Sequence, residues 1–575
     1  MKFDRGNTQM LRKLFVYIII IIMFLSATGC SMSKILPEIQ EDGNSSGLTH
    51  EPDLPVEPSL PIKGGQLRIP IIQPKEINPL FTESKDFMNF SGLIYEGLFA
   101  YDEDLNLIPG LAESWEVYDN GALWQLQLRK GVKWHDGTEF TARDVKYSFD
   151  LLFKEMEDNG GQGTISHYTR RLFAGRDIAR VEFIVNNPYA IAIVLNKPTG
   201  RTLLEALTFP IIPFKEEAQD LDTEDISPMI GTGPYKVERW DLEVDNFIKL
   251  VRNDSWWGKP TPYIDTIIAQ IYKDKEESLE AFKSGEVDLV DTHVIYAESY
   301  AAKGASRLYR YLTNNYIYIG INHANPGILG DPKIREAVAY SIDRKDIISR
   351  VYFGNAQAID VPVPIDAWYY DPDSRVFDYQ PAMAQKILQE AGWKDFDRDG
   401  ILDKLDGAQK IDLRFTINAI MDNNIQKETL ELIAEQLREI GIYMEIRLLP
   451  WEDYIEALET GNFEAVLATY TFGIPGATDL YSMLHSSGIG SGLDNYMGYS
   501  SATLDRLLEE VNLTKETEDF HNAYNKIQSH LVEKLPIISL YYETSSLITS
   551  QKLNGIKAPK ELMIFRDVNK WYLSS

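Results

Sequence analysis

The stretch 395–406 has the residue types and the spacing to bind a metal ion. Counted from Asp395, it has acidic side chains at positions one, three, five, nine and twelve and a glycine at position six. This is the spacing of oxygen ligands in a calcium-binding loop, where position seven supplies its backbone carbonyl and the glycine allows a sharp turn. The predicted ligands are Asp395, Asp397, Asp399, Ile401, Asp403 and Asp406.

Two features separate this loop from a paired EF-hand. Asp406 replaces the bidentate glutamate that is usual at position twelve, and a predicted strand, rather than a second helix, follows the loop. A solvated acidic loop that binds no ion is the alternative interpretation. A structural calcium ion is the single cofactor that the sequence suggests.

Cys30 is the only cysteine of the chain and stands at the end of a secretory leader. Basic residues precede an apolar run at 14–25, which is short for a membrane-spanning helix. The segment 27–30 reads Ala-Thr-Gly-Cys and is similar to a bacterial lipobox, although alanine stands where leucine is usual. We therefore expect that residues 1–29 are removed and that lipid on Cys30 anchors the chain to the outer face of the cytoplasmic membrane. An ordinary signal peptide and a single anchor helix are the alternatives.

The composition indicates a folded and strongly acidic body. The 575 residues carry a net charge of −29, and without residues 1–29, which hold four basic residues and one acidic residue, the charge is −32. Such a surface argues against nucleic acid as a partner and against adhesion to anionic lipid, because both reward clustered Lys and Arg. The hydrophobic fraction of 44% is ample for a core, and no apolar run after Cys30 is long enough to span a membrane.

Motifs of common hydrolases and nucleotide-binding enzymes are absent from the sequence. It contains no HExxH and no GxxxxGK(S/T), and its one Gly-x-Ser-x-Gly, at 43–47, lacks the strand and helix of a nucleophile elbow. The eight histidines are scattered, although a catalytic triad is defined by geometry rather than by order. We therefore predict that the protein is not an enzyme.

The folded body is predicted to begin near residue 64, after a disordered acidic and proline-rich tether at 30–63 that cannot bury enough apolar surface to fold. Predicted strands are 66–72, 124–129, 316–322 and 411–417, and predicted helices are 87–98, one that begins at Thr141, and 427–440. Strands that alternate with helices indicate βαβ units and a largely parallel sheet.

Seven segments carry a family resemblance: 109–115 (PGLAESW), 128–138 (LRKGVKWHDGT), 140–148 (FTARDVKYS), 231–235 (GTGPY), 253–260 (NDSWWGKP), 282–289 (FKSGEVDL) and 334–344 (IREAVAYSIDR). In this order they resemble the extracellular solute-binding proteins of family 5, the oligopeptide-, dipeptide- and nickel-binding lipoproteins of ABC importers. They extend over nearly the whole body, and so many linked segments are more specific than any one of them.

The resemblance implies an α/β fold, a bilobal clamshell of the periplasmic-binding-protein type (class C) with an inserted domain. Lobe I would comprise 64–98, 232–321 and 541–575, the inserted domain 99–231, and lobe II 322–540. The resemblance also implies that the chain acts as a monomer, captures peptides between its lobes and delivers them to the transmembrane subunits of an ABC permease.

Ligand contacts are implied by position only. In this family an extended peptide lies between the lobes and pairs with strand edges, which serves any side-chain sequence. The residues implied are Phe81, Thr82, Glu83, Tyr168, Tyr316, Tyr318, Thr469, Tyr470, Thr471, Phe472, Asn495, Tyr541 and Tyr542. For each aromatic residue, packing in the core is the alternative.

One position departs from the family's pattern. Peptide-binding members usually carry an aspartate a few residues past the ligand strand, where it pairs with the ligand's α-ammonium, but here Gly473 stands there. Because a buried ammonium without a carboxylate is costly, either Glu83 or Asp479 supplies the charge, or the ligand has no free amino terminus. The alternatives are a non-peptide solute, such as a glycoside or a nickel chelate held by His323 or His485, and a peptide sensor or adhesin without transport.

Overall fold

The computed structural model describes residues 61–158, 166–173, 175–215, 229–241, 246–293, 297, 306–407, 409–473, 480–490 and 494–574. The predicted leader, Cys30 and nearly all of the predicted tether lie outside the described residues. The α-helices are Lys85–Ser91, Ala142–Asp158, His167–Leu172, Thr202–Ala206, Lys275–Ser284, Pro332–Ser341, Arg344–Arg350, Pro381–Glu390, Asn424–Glu439, Trp451–Thr460, Tyr481–Leu484, Ala502–Leu513 and Thr517–Lys534. In the part of the chain that is described, no helix is both long and apolar enough to cross a membrane.

Two sheets in the first half of the chain share one hydrophobic core. The first has the spatial order Gln66–Ile72, Thr266–Tyr272, Phe247–Arg252, Tyr235–Asp241, and the second has the order Ala112–Tyr118, Leu123–Leu128, Ala190–Leu195, Ile178–Phe183. Leu67 of the first sheet, Phe149 of a helix and Trp571 near the carboxyl end are all buried in this core. The last residues of the chain therefore return to the sheet with which the described body begins.

A larger mixed sheet occupies the second half. Its spatial order is Leu289–Thr292, Ile537–Ser550, Ser306–Ile321, Ala465–Thr471, Arg414–Ile420, Tyr443–Leu449, and Ala356–Ala358 pairs beside Ile537–Ser550. Because side chains alternate along a strand, Ile317 and Ile319 point into one core and Tyr316 and Tyr318 into another. Three two-stranded sheets complete the described structure: Phe99–Tyr101 with Leu107–Pro109, Asp403–Asp406 with Gln409–Asp412, and Leu553–Asn554 with Tyr572–Leu573.

The pairing of the two long strands of this sheet, Ser306–Ile321 and Ile537–Ser550, is irregular at two places. Their register shifts between Ile317 and Tyr318 and, over a longer stretch, between Leu312 and Tyr316. There the backbone N–H of Asn314 donates to the carboxylate of Glu561, whose other oxygen is 2.8 Å from the ammonium of Lys85. A charged side chain thus replaces the neighbouring strand as the partner of this buried N–H.

The α/β class predicted from the sequence is confirmed, but the prediction of a largely parallel sheet is wrong. Among the described strands only Gln66–Ile72 with Thr266–Tyr272, and Arg414–Ile420 with its two neighbours, pair in parallel, because hairpins and long return strands make the other pairs antiparallel.

One predicted helix also ends early. The predicted helix 87–98 stops at Ser91. The carbonyl oxygens of Leu93 and Ile94 accept hydrogen bonds from Tyr235 and Gly233 at 3.0 and 2.8 Å. These tertiary bonds compete with helical ones, and local periodicity does not report them.

Three of the sequence motifs meet around Gly231. His135 Nδ1 accepts from the Gly231 N–H at 3.2 Å, and its Nε2 lies 3.1 Å from the carbonyl oxygen of Gly233. A Cβ at position 231 would lie 1.8 Å from the carbonyl oxygen of Ile94, so this close approach requires glycine. Nearby, the carboxylate of Glu96 accepts from Thr232 and from the indoles of the 253–260 motif.

Burial lowers the pKa of His135 to about 4. The folded state thus holds the neutral ring, whereas an unfolded chain would protonate it near its ordinary value of 6.5. We expect the free energy of unfolding to fall by about 2 kcal/mol between about pH 7 and about pH 5 from this group alone. Urea unfolding of the wild type and of His135→Gln at both pH values isolates the effect. Equal pH dependence in the two proteins would contradict it.

Candidate functional site

Five of the predicted ligand contacts form one buried aromatic cluster: Tyr316, Tyr318, Tyr470, Phe472 and Tyr542. The rings of Tyr316 and Tyr318 stack with centroids 5.2 Å apart, and the ring of Tyr542 lies 5.3 Å from that of Tyr316. The rings of Tyr470 and Phe472 are 4.8 Å apart. All five are at most 5% exposed. The Tyr542 hydroxyl has no hydrogen-bond partner among the described residues.

Tyr541 does not join this cluster. It precedes Tyr542 on the strand Ile537–Ser550 and so points to the opposite face. Its hydroxyl is 3.2 Å from that of Thr429, and its ring centroid is 4.7 Å from that of Tyr352. The structure therefore places Tyr541 in the other core of the sheet.

The strand Ala465–Thr471, called here the edge strand, has one partly open side. It pairs along its whole length with Ser306–Ile321, but Arg414–Ile420 pairs with it only at its first two residues. Within the described part of the chain, no further strand lies on that side. Thr469 is the exposed residue of the edge strand, and the other residues around it are buried or half-buried.

The hydrogen-bonding register fixes which main-chain groups face the open side. The N–H of Phe472 donates to the carbonyl oxygen of Asn314 at 2.9 Å. Because the bonds of an antiparallel pair alternate, Thr469 and Thr471 direct their N–H and C=O groups away from that partner strand. The predicted contacts Thr469 and Thr471 thus present main-chain donors and acceptors at this edge.

A charged group stands at the end of the edge strand. Arg171 donates through its guanidinium to the carbonyl oxygen of Thr471, and its Nε lies 2.9 Å from the Asp494 carboxylate. The guanidinium also lies 4.3 Å from the ring centroid of Tyr470. Burial opposes its charge, but Tyr470 and Asp494 raise the pKa of Arg171 above its ordinary value. The same Asp494 oxygen accepts from Tyr470 and from Ser482, at 3.0 and 2.9 Å.

The helix that carries Arg171 also explains the spatial setting of Gly473. A Cβ at position 473 would lie 3.1 Å from the carbonyl oxygen of Tyr168 and 3.7 Å from the Cβ of Arg171. Any larger residue would need the helix His167–Leu172 to shift by a few tenths of an ångström. Asp479, one of the predicted substitutes for the missing aspartate, lies outside the described residues.

A cavity of about 710 Å³ has Gly473 and Tyr168 in its lining. Trp256, Trp257 and Glu96 also line it, and burial raises the pKa of Glu96 to about 7. Its volume lies in the usual range for small-molecule pockets.

The remaining predicted contacts take other positions. Phe81 belongs to the core of the first two sheets, Thr82 is buried with Oγ1 accepting from the Ser84 N–H, and Glu83 is exposed. Burial raises the pKa of the Tyr168 hydroxyl above its ordinary value, and the nearby charges of Glu561 and Glu83 raise it further. The segment 81–83 therefore sits beside Tyr168 rather than within the aromatic cluster.

Asn495 stabilises its own loop. Its amide donates to the carbonyl oxygens of His485 and Tyr499, at 3.0 and 2.9 Å, and its Oδ1 accepts from the Tyr499 N–H at 3.2 Å. With 3% of its surface exposed, this side chain shapes the turn beside Asp494.

The two histidines suggested as metal ligands lie in packed surroundings. His323 Nε2 is 2.7 Å from the carbonyl oxygen of Pro536, and its ring contacts Tyr499. His485 stacks on Tyr481 with centroids 4.1 Å apart, and its Nδ1 is 2.7 Å from Ser487 Oγ. Neither arrangement favours a metal chelate at these positions.

Sequence reasoning missed Arg171 and Asp494. Asp494 directly precedes Asn495, which the resemblance did single out, so its position was a usable signal. Arg171 had none, because the segment around it gives no indication that its helix contacts the edge strand.

The mixed sheets, the buried aromatic cluster and the partly open strand can now be compared with known proteins. The chain belongs to the bacterial extracellular solute-binding proteins, family 5, whose model matches residues 106–491. This family is defined by solute binding outside the cytoplasm rather than by catalysis.

Among curated proteins, the chain is similar to the oligopeptide-binding protein AppA of Bacillus subtilis, with 27% identity over 525 residues, 89% of this chain and 92% of that protein. The structure of AppA in complex with a nonapeptide matches with a TM-score of 0.65 and 26% identity, over 90% of this chain and 100% of that one. HbpA2 of Haemophilus parasuis matches with a TM-score of 0.74 and 22% identity over 89% and 100%. NikZ of Campylobacter jejuni, in complex with Ni(L-His), matches with a TM-score of 0.66 and 23% identity, over 88% of this chain and 99% of that one. The family-5 clamshell fold predicted from the sequence is thereby confirmed, and the domain boundaries stay a prediction.

We expect Arg171 and Asp494 to be energetically coupled, because removal of either charge leaves the other largely buried without its ion-pair partner. A double-mutant cycle with Arg171→Met and Asp494→Asn should give a coupling energy of about 1–2 kcal/mol in urea unfolding. The exposed pair Lys146 and Asp150, 2.7 Å apart on one helix, is the control and should give only a few tenths. Equal coupling in both cycles would refute the contact.

Proposed function

We propose that this chain is the lipid-anchored solute-binding component of an ABC importer and that it captures peptides between its two lobes. Lipid on Cys30 holds it at the outer face of the cytoplasmic membrane, and it delivers its ligand to the transmembrane subunits of a permease. The body acts as a monomer. Its family membership and its similarity to a relative named for oligopeptide binding support this proposal.

The observation that carries the peptide proposal is the open side of the edge strand. Thr469 and Thr471 direct main-chain groups toward it, and an extended peptide can add itself there as a further strand. Main-chain recognition is indifferent to side-chain sequence, and the cavity beside Gly473 offers apolar surface to whichever side chains the ligand has.

The end of the edge strand supplies the charge recognition. Arg171 already donates to the Thr471 carbonyl, a position that a peptide N–H would take, and Asp494 is a carboxylate within reach of the same point. Displacement of Arg171 would leave Asp494 to pair with a ligand ammonium. In this proposal Asp494 does the work of the aspartate that Gly473 replaces.

Hinge closure is the mechanism. Open and closed forms interconvert, and a ligand favours the closed form because it contacts both lobes there. The closed form then docks on the permease.

A compact non-peptide solute is the second candidate, and the cavity beside Gly473 favours it. At about 710 Å³ it would enclose a small molecule, with Trp256 and Trp257 as walls and Glu96 as an acceptor. A sensor or adhesin without transport would use the same site and differ only in its partner.

Native mass spectrometry of the exported protein, followed by sequencing of whatever denaturation releases, tests the ligand class. A series of peptides of similar length supports peptide capture. A single non-peptide mass would overturn it in favour of the second candidate.

Replacement of Thr469 by proline should weaken peptide binding about five- to tenfold, because it removes one main-chain donor at the open edge, worth roughly 1–1.5 kcal/mol. The N–H that is lost is not used within the sheet, so the fold should persist. Calorimetry with a peptide recovered from the protein measures the change.

Thr469→Ala is the matched control, since it removes the side chain and keeps the N–H. Its affinity should stay within about threefold of the wild type. Similar losses in the two variants would mean that side-chain contacts, not the main chain, hold the ligand.

Cys30→Ser should release the protein from the membrane fraction, because the serine hydroxyl does not accept the lipid that anchors the chain. Metabolic labelling with palmitate measures lipid attachment, and cell fractionation measures membrane association. Ser31→Ala is the control that should keep the lipid and the membrane association. Membrane retention of Cys30→Ser would show that an uncleaved helix is the anchor.

A further inference from the structure

The acidic loop 395–406 lies in the second half of the chain and takes no part in the solute site. One carboxylate oxygen each from Asp395, Asp397 and Asp403 lie within 4.8 Å of one another. Carboxylates at this separation repel one another unless cations balance them, and the Lys410 ammonium, which bonds to Asp397, balances part of this charge.

Asp403 shows that this is more than a solvated acidic surface. Its residue is 0% exposed, and its Oδ1 has no hydrogen-bond partner among the described residues. Its other oxygen accepts from the Phe396 N–H at 3.1 Å. A buried carboxylate oxygen without a partner is strongly unfavourable, and a bound cation removes that cost.

The backbone holds Asp403 in this place firmly. Its N–H and C=O both pair with Lys394, at 2.7 and 3.0 Å, and the preceding Leu402 donates to the carbonyl oxygen of Gly441 at 2.8 Å. The main-chain bonds to Lys394 therefore determine the position of Asp403, and they keep its carboxylate buried although burial is unfavourable for the charge.

We propose that Asp395, Asp397 and Asp403 bind a calcium ion that fastens this loop to the body. The donors are all hard oxygens, which suit Ca²⁺, and their spacing in the sequence is that of positions one, three and nine of a calcium loop. The ion would connect the turn after the helix Pro381–Glu390 to the hairpin that begins at Asp403. This site is independent of which solute the protein carries.

The structure narrows the ligand set predicted from the sequence. Asp399 is not among the three converging carboxylates, and its Oδ1 accepts from the Ile401 N–H at 2.8 Å. The side chain of Asp406 lies outside the described residues. The Lys410 ammonium bonds to Asp397 and lowers the pKa of that carboxyl. It also lies 3.0 Å from Asp412 Oδ1. Calcium would compete with Lys410 for Asp397.

Calcium titration of the chelator-treated full chain by calorimetry tests the proposal. We expect a dissociation constant of about 10⁻⁴ M, as in extracellular calcium modules, and a higher Tm with calcium than without it. Asp403→Asn should weaken binding at least tenfold, and Lys410→Met should tighten it several-fold. Asp422→Asn, an exposed residue of the same half of the chain, is the charge-matched control and should bind as the wild type does.

Asp397→Asn covers the case in which Asp403→Asn does not fold, since Asp397 is exposed, and it should also bind at least tenfold more weakly. Terbium luminescence excited through Trp393, two residues before the loop, locates the ion, and Trp393→Phe should lose the signal while it keeps the calcium heat. The proposal is overturned if the wild type shows no calcium heat, if both Asp variants bind like the control, or if magnesium gives the same affinity and the same rise in Tm.

Discussion

The antiparallel pairing of Ser306–Ile321 with Ile537–Ser550 is the interaction on which the rest of the structure depends. Each strand is long enough to contribute side chains to more than one hydrophobic core. Their shared register decides that Tyr316 and Tyr542 meet, and it decides equally that Tyr541 turns away. The edge strand has its position because it pairs with Ser306–Ile321. The register of these strands therefore determines which side chains come together at the proposed solute site.

The class of fold was within reach of the sequence, because strand and helix periodicities alternate and several linked segments follow the family's order. The structural role of those segments could not be predicted from the sequence. Gly231 must be glycine because the carbonyl oxygen of Ile94, far away in the sequence, occupies the space of a Cβ. The helix predicted to reach Leu98 ends at Ser91 for a related reason, since the carbonyls after it serve strands elsewhere. Contacts of this kind are decided by tertiary packing, which local patterns do not encode.

The candidate site divides in the same way. Positions on a regular strand, such as Tyr470 and Phe472, could be placed from the sequence because alternation along a strand is reliable. Positions that depend on how separate segments meet could not: Arg171 approaches the edge strand from a short helix about 300 residues away. The glycine at 473 looked like the loss of a charge. The structure shows it as a close contact with that helix, with Asp494 as the carboxylate nearby.

The lapse in pairing between Leu312 and Tyr316 has a mechanical consequence. Paired strands on either side are stiff, because any bend would break several main-chain bonds at once. At Asn314 the main-chain N–H donates instead to the carboxylate of Glu561, while its carbonyl oxygen still accepts from the N–H of Phe472. This stretch therefore carries fewer inter-strand bonds than the paired lengths on either side, and a change of backbone angle there would break fewer of them. In the proposed hinge closure, the contact between Asn314 and Glu561 is one that such a change would have to accommodate.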